Sequence, residues 1–358
     1  MSYFCGVKIH EFYIKRCIEL AKNGLGTTYP NPLVGSVIVY NGKIIGEGWH
    51  KKSGESHAEV KAINAVKDKS LLAKATIYVS LEPCSHYGKT PPCADLIIQN
   101  KIPNVVIGTV DPNEKVAGNG IKKLIEAGKN VTVGILEKEC HELNKRFFTF
   151  HIQKRPYIIL KWAESQDGFI APENRETQAP VWISNAYSRQ LVHKWRSEEQ
   201  AILVGTTTVL ADNPKLNVRD WTGNNPVRIV IDRKNCISKE SYIFDNEVKT
   251  ILISETEKES EKENNVYETI DFHFNSTRQI LAVLYKNKIQ SVLIEGGRDT
   301  LQRFIDEKLW DEARVFVGKK DLKSGTKAPI IDLKPFEKKA IINDDLIQYR
   351  NHGEHYNF

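Results

Sequence analysis

From Val34 to Leu136, short β-branched runs alternate with segments of helical period, a rhythm that few architectures other than a layered α/β fold can satisfy. Ahead of it, segment 8–23 places Ile9, Phe12, Tyr13, Cys17, Ile18, Leu20 and Ala21 at helical spacing, and Gly24 ends the pattern. Residues 34–40 and 43–48 read as strands joined by Asn41-Gly42, a pair that accepts the positive φ angles of a type I′ turn. Glu59, Ala62, Ile63 and Val66 then recur at helix period before the apolar run 75–81. Helices near 94–100 and 121–127 and strands near 105–110 and 131–136 continue the alternation.

A basic stretch closed by proline, Phe150-His151-Ile152-Gln153-Lys154-Arg155-Pro156, precedes a fresh strand at 157–161 and predicts domains 1–150 and 151–358. The length of 358 residues agrees, at roughly 150 residues per domain. A helix after Ser184 and strands at 201–204, 227–231, 250–253 and 291–294 make the second half α/β as well. The polar run 255–265 predicts a solvated loop.

With 41% hydrophobic and 27% charged residues the chain can bury a sizeable core, which excludes wholesale disorder. A net charge of +6 is small for this length, and no basic, aromatic stripe suggests a nucleic-acid partner. No apolar run reaches membrane-spanning length and the first residues do not resemble a secretory leader, so the expectation is a cytoplasmic protein with no membrane partner. Six cysteines at 5, 17, 84, 93, 140 and 236 are too scattered for a disulfide framework, and only Cys84 and Cys93 share a neighbourhood suited to chemistry.

That neighbourhood is the strongest signal. His57-Ala58-Glu59, at a predicted helix start, is followed by Pro83-Cys84 and, after eight residues, by Cys93. Zinc takes imidazole nitrogen and thiolate sulfur in a tetrahedron, and a catalytic site keeps its fourth position for water. His57, Cys84 and Cys93 are the candidate ligands. Glu59, on the opening turn of the helix, can reach the water and carry its proton. His-x-Glu with Pro-Cys and a second cysteine marks zinc deaminases of nucleobases, and only the cysteine spacing differs here. Two thiolates neutralise Zn²⁺, so its water is acidified less than in a three-histidine site, and Glu59 must finish the deprotonation. The predicted reaction is hydrolytic deamination. A closed site with His86 as fourth ligand and a metal-free pair of buried cysteines are the alternatives.

Thr28-Tyr29-Pro30-Asn31-Pro32-Leu33-Val34-Gly35, His57-Ala58-Glu59, and the stretch from Leu81 to Cys93 with its long insert resemble the bifunctional deaminase-reductases of riboflavin biosynthesis. Asp111-Pro112-Asn113 and Val116-Ala117-Gly118-Asn119-Gly120 also match, and the likeness covers nearly the whole chain. It implies a cytidine-deaminase-like α/β/α domain followed by a dihydrofolate-reductase-like α/β domain, with Zn²⁺ and NADPH as cofactors and a homo-oligomeric assembly. The implied substrates are small pyrimidine ribosyl phosphates, deaminated by the first half and reduced from ribosyl to ribityl by the second. Asn31, His50, His86, Lys89 and Asn113 lie in loops around the zinc motif and offer polar or cationic groups to a pyrimidine edge and a phosphate.

The second half lacks the Gly-x-Gly-x-x-Gly turn of a Rossmann domain. Glu295-Gly296-Gly297, where a strand runs into a helix near Asp299, is the alternative cradle, since glycines admit a diphosphate and a helix start supplies amide donors. The resemblance puts Ala163, Trp182, Thr208, Asp212 and the run Gly297, Arg298, Asp299, Thr300, Leu301, Gln302, Arg303 at NADPH positions. It puts Arg196, Leu216, Arg219 and Glu295 at substrate positions, where two arginines suit a phosphate. Lys161, on the first strand, is the candidate proton donor. The chain departs from the family's Ser-x-Leu-Asp-Gly at Ser165-Gln166-Asp167-Gly168, and Pro180 stands where a serine commonly precedes the tryptophan by two. A zinc deaminase for a free base or nucleoside whose second half has lost reduction is therefore the rival enzyme, and a zinc-stapled binding protein for single-stranded nucleic acid is the rival from another class.

Overall fold

The computed structural model describes residues 2–85, 91–113, 117–174, 178, 180–259 and 262–351, and the chain divides into two compact units, Met1–Lys154 and Arg155–Phe358. Among the described residues no helix is long and apolar enough to cross a membrane.

In the first unit, α1 (Ser2–Lys22) lies against β1 (Gly35–Tyr40) so closely that a Cβ on Gly35 would sit 2.0 Å from the Cys17 carbonyl oxygen. Asn41 and Gly42, with φ of 48° and 72°, turn β1 into β2 (Lys43–Trp49) as the Asn-Gly pair predicts. The chain continues through α2 (Ala58–Ala65), β3 (Thr76–Val79), α3 (Cys93–Gln99), β4 (Asn104–Ile107), α4 (Asn119–Glu126) and β5 (Asn130–Val133). The sheet order is β2-β1-β3-β4-β5; β1 is antiparallel to both neighbours, and β3, β4 and β5 run parallel. The strand period of two sends Ile38, Ile77 and Val105 toward Ala62, Ile63, Ala94 and Ile97 on one face. It sends Val37, Tyr78 and Val106 toward Ile14, Cys17 and Cys140 on the other. The result is an α/β/α sandwich.

Two helices that the sequence pattern did not reveal close this unit, α5 (Glu137–Leu143) and α6 (Lys145–Gln153). The stretch read as a linker from Phe150 onward is the last turn of α6, which ends at Lys154 in the left-handed conformation, so the unit extends past residue 150. Phe147 and Phe148 explain the helix, since they bury themselves against Leu81 and outweigh the basic residues around them.

The second unit runs through β6 (Tyr157–Glu164), β7 (Phe169–Pro172), α7 (Ala186–Glu198), β8 (Ala201–Gly205), α8 (Thr206–Asp212), β9 (Val227–Ile231) and β10 (Thr250–Ser254). It continues with β11 (Asn265–Thr269), α9 (Ser276–Lys286), β12 (Ser291–Ile294), α10 (Arg298–Asp306) and β13 (Glu312–Val317), then β14 (Gly325–Lys327), β15 (Glu337–Ile341) and β16 (Asp344–Arg350). A nine-stranded sheet has the order β11-β10-β9-β8-β12-β6-β13-β16-β15, parallel from β11 to β13 and antiparallel over its last two strands. Among the described residues of the polar run, 255–259 and 262–264 lie in no helix or strand. Asn265, expected in the loop, opens edge strand β11. The parallel strands β8, β12 and β6 are neighbours, so their C-terminal ends bring the turns into α8 and α10 beside Lys161.

Candidate functional site

In the first unit three helix or loop starts meet near the C-terminal end of β3. His57 is the residue before α2, Cys93 opens α3, and Cys84 lies in the loop between β3 and α3. His57 Nδ1 is 3.6 Å from Cys84 Sγ and 3.3 Å from Cys93 Sγ, and the three donor atoms lie within 4.8 Å of one another. Two ligands of a tetrahedral zinc, at their usual bond lengths, are roughly 3.5 Å apart, so the donor set and its spacing fit that metal. The Cys93 amide also donates to Cys84 Sγ at 3.3 Å. Cys84 is the thiol held low, first by its hydrogen bond with Cys93 and then, against burial, by His57.

Glu59 follows on the first turn of α2 with 3% exposure, and its carboxyl engages the Cys93 thiol. Burial pushes this carboxyl up to about 7, partly offset by His57. On one side of the cluster, Asn31 Nδ2 is 3.1 Å from His50 Nε2, and the rings of His50 and His57 are 5.4 Å apart, edge to face. Burial keeps His50 low, hence a neutral hydrogen-bonding group. The Asn113 amide donates to Asp111 Oδ1 at 2.8 Å, and Asp111 is near enough to Cys84 to feel its charge. His86 and Lys89 lie outside the described residues.

Sequence reading missed the two side chains that hold these flanks. Asn144, between α5 and α6, exchanges two 2.8 Å bonds with the backbone of Leu33 and so fixes the loop that carries Asn31. Glu82, two residues before Cys84, accepts the backbone amides of Asp111, Gly118, Gly120 and Ile121. Its place beside Pro83-Cys84 was the available clue; the contact of Asn144 with Leu33, across 111 residues, had none.

In the second unit Glu295 follows β12 and receives Arg196 from α7 at two points, 2.7 and 2.8 Å. Lys161 Nζ lies 3.7 Å from the same carboxylate, and burial lowers this lysine against the pull of Glu295. Arg196 also donates to the Asn217 carbonyl at 3.2 Å. The two arginines of the expected substrate set differ in their surroundings. Arg196 is committed to Glu295 and Asn217, whereas Arg219 is exposed, with its guanidinium resting on Asn217 Oδ1. Leu216, at φ 51°, is buried in a cluster with Val204 and Val209. His193, which sequence reading also missed, accepts the Arg219 amide on Nδ1 at 3.1 Å.

The turn from β12 into α10 passes close to the start of α8. A Cβ on Gly296 would come within 2.8 Å of Thr208 Oγ1 and 2.9 Å of Val204, and one on Gly205 within 3.0 Å of Thr300 Oγ1. This cradle, with hydroxyls on both sides and a helix start at Gly297, fits a diphosphate. Gly297, Arg298, Asp299 and Thr300 form the opening turn. The next three residues are used elsewhere: Leu301 is in the core, Gln302 binds the Ile330 backbone, and Arg303 donates to Ser276 Oγ. These side-chain partners fix the start of α10 beside the cradle.

Ala163, on β6, packs with the cluster of Leu293 and Phe316, and Asp212 ends α8. Trp182 is no core residue, being 52% exposed with the Arg189 guanidinium 4.7 Å over its ring. Despite its altered residues, the segment from Ser165 to Gly168 makes a closed turn. Ser165 Oγ donates to Asp167 Oδ1 and accepts the Phe169 amide, and Asp167 holds the amides of Leu322 and Lys323.

Residues 7–109 match the cytidine and deoxycytidylate deaminase zinc-binding region, and residues 156–350 match the RibD C-terminal domain. The riboflavin biosynthesis protein RibD of Aquifex aeolicus (strain VF5) is 40% identical over 352 residues, covering 97% of each chain. That of Escherichia coli (strain K12) is 37% identical over 332 residues, covering 88% of this chain and 89% of the other. Among solved structures, the diaminohydroxyphosphoribosylaminopyrimidine deaminase/5-amino-6-(5-phosphoribosylamino)uracil reductase of Thermotoga maritima is similar with a TM-score of 0.87 and 38% identity, over 96% of this chain and 99% of that one. A cytidine-deaminase-like fold in the first unit and a dihydrofolate-reductase-like fold in the second agree with these matches. The chain belongs to the RibD family, the bifunctional deaminase-reductases of riboflavin biosynthesis.

Proposed function

We propose that the first unit, with Zn²⁺ on His57, Cys84 and Cys93, hydrolytically deaminates 2,5-diamino-6-ribosylamino-4(3H)-pyrimidinone 5′-phosphate. The second unit reduces the ribosyl group of the product, 5-amino-6-(5-phosphoribosylamino)uracil, to ribityl with NADPH. The observation that carries the reading is one imidazole nitrogen 3.6 and 3.3 Å from two sulfurs, beside a buried carboxyl. When bound, zinc supplies a Lewis acid that eases deprotonation of water. Glu59 takes the proton from the attacking water, passes it to the ring nitrogen, and later delivers a proton to the departing amine. Asn31, His50 and Asn113 hold the pyrimidine edge between the two flanking loops, and His86 and Lys89 belong to the same proposed substrate set.

NADPH, when bound, supplies the hydride. The Gly296–Gly297 turn with Thr208 and Thr300 receives its diphosphate, and Ala163, Trp182, Asp212, Arg298, Asp299, Leu301, Gln302 and Arg303 complete the proposed set. Arg219 takes the substrate phosphate, Arg196 and Leu216 shape the pocket wall, and Lys161, held by Glu295, protonates the ribose ring oxygen as the ring opens. The reading is of a cytoplasmic homo-oligomer acting on small molecules, without nucleic-acid or membrane partners. Incubation with the diaminopyrimidine substrate, with and without NADPH, tests it by product mass. Expected are exchange of amine for carbonyl without NADPH and a further gain of two hydrogens with it. An unaltered substrate, or a deaminated product that NADPH leaves unchanged, contradicts it.

A further inference from the structure

After β4, Asp111 and the stretch from Gly118 to Ile121 meet at one side chain, and the glycines there have no part in the chemistry above. That side chain is Glu82. One carboxylate oxygen, Oε2, accepts the amides of Asp111 at 3.2 Å and Gly118 at 3.0 Å; the other, Oε1, accepts those of Gly120 at 2.9 Å and Ile121 at 3.2 Å. Glu82 is 4% exposed, and its own amide donates to the Thr109 carbonyl at 2.9 Å. The glycines are needed for this cage. Gly118 has φ +75°, and a Cβ on Gly120 would lie 2.0 Å from the Pro83 carbonyl oxygen. The backbone of α4 therefore starts directly on the chain that leads from Glu82 through Pro83 to Cys84.

We infer that Glu82 is a positioning residue for deamination: its carboxylate gathers the amides of Asp111, Gly118, Gly120 and Ile121 and, through Asp111, sets Asn113 at the substrate edge of the site. The inference rests on the proposed role of Asn113 and goes beyond it by naming what holds that residue. A carboxylate is the side chain for the task, since it offers acceptors only. Glutamine keeps the shape, but in either orientation its NH₂ group faces two of the four amides, and buried donors are left without partners.

The test is a double-mutant cycle on the full-length chain with Glu82→Gln and Asn113→Ala, reading deaminase kcat and KM, zinc content and reductase activity. Glu82→Gln is expected to raise the deaminase KM by about tenfold or more while kcat changes by less than about threefold, with zinc and reduction retained. Asn113→Ala is expected to raise KM similarly, and the double variant to be little worse than either single one, because both act through one contact. Gly118→Ala disturbs the cage from its other side through φ alone and is expected to raise KM in the same direction, which keeps the inference testable if Glu82→Gln does not fold. Independent, multiplying effects on KM overturn the positioning role while leaving Asn113 as a substrate contact. Unchanged KM in both Glu82→Gln and Gly118→Ala, or loss of zinc from them, also overturns it. An Asn113→Ala variant with wild-type KM removes the reading of Asn113, and this inference with it.

Discussion

Arg196 and Glu295 form a two-point ion pair, Nε to Oε1 at 2.7 Å and a terminal nitrogen to Oε2 at 2.8 Å, between side chains only 12% and 8% exposed. Burial opposes a charge on Glu295, but Arg196 and then Lys161 outweigh it and hold the carboxyl down at about 2. The pair thus presents Lys161 from a fixed carboxylate at the end of three parallel strands. Breaking a buried pair on one side leaves the other charge uncompensated.

Glu295→Gln follows from this directly. It strands Arg196 and loosens Lys161, so reduction is expected to fall by about a hundredfold or more, with a stability loss of about 3 kcal/mol in the second unit. Deamination is expected to persist. Separate assays of the two half-reactions and urea unfolding check these outcomes.

His193 gives the second unit a pH dependence. Burial, then the nearby Arg196 and Arg219, depress its imidazole to about 4, so it stays neutral and accepts the Arg219 amide. The unfolded chain takes up this proton near pH 6.5 and the folded one only near 4; stability therefore falls as pH drops between those values. The loss amounts to about 3 kcal/mol at most. His193→Asn, which keeps an acceptor but cannot titrate, is expected to flatten that slope, as measured by urea midpoints from pH 7 to 4.

Arg219 is the exposed guanidinium steadied by Asn217 and by His193 behind its own amide. Arg219→Ala is expected to weaken reductase binding of the phosphorylated substrate by about tenfold to a hundredfold and to leave the dephosphorylated form nearly unaffected. Equal losses for both remove the phosphate role. Titration of each form against the variant provides the comparison.

Glu59→Gln preserves the size of the buried side chain beside Cys93 and removes its ability to carry a proton. Deamination is expected to fall by about a thousandfold or more, with zinc and reduction intact. Near-wild-type deamination would assign the proton to another group.

Local chemistry made much of this legible from sequence. Asn41-Gly42 specified a hairpin because both residues tolerate positive φ, and His57, Cys84 and Cys93 stood out because metal ligands keep their residue types and lie near helix starts. What escaped depends on partners distant along the chain. The Phe147 and Phe148 faces of α6 need Leu81 to make sense, and edge strand β15, Glu337–Ile341, lacks the alternation that would announce it. The four amides on Glu82, the clasp of Asn144 on Leu33 and the bond from Arg219 to His193 are tertiary contacts with no period to read. The partners of Gln302 and Arg303 were likewise not legible, since a helix turns successive side chains in different directions and each meets a different distant neighbour.

X-ray absorption at the zinc edge, on full-length protein of measured metal content, tests the central claim most directly. The account predicts one zinc per chain with two sulfurs at about 2.3 Å, one imidazole nitrogen at about 2.0 Å and one oxygen exchangeable with solvent. A shell completed by a second imidazole, or a purified and active deaminase without zinc, contradicts it.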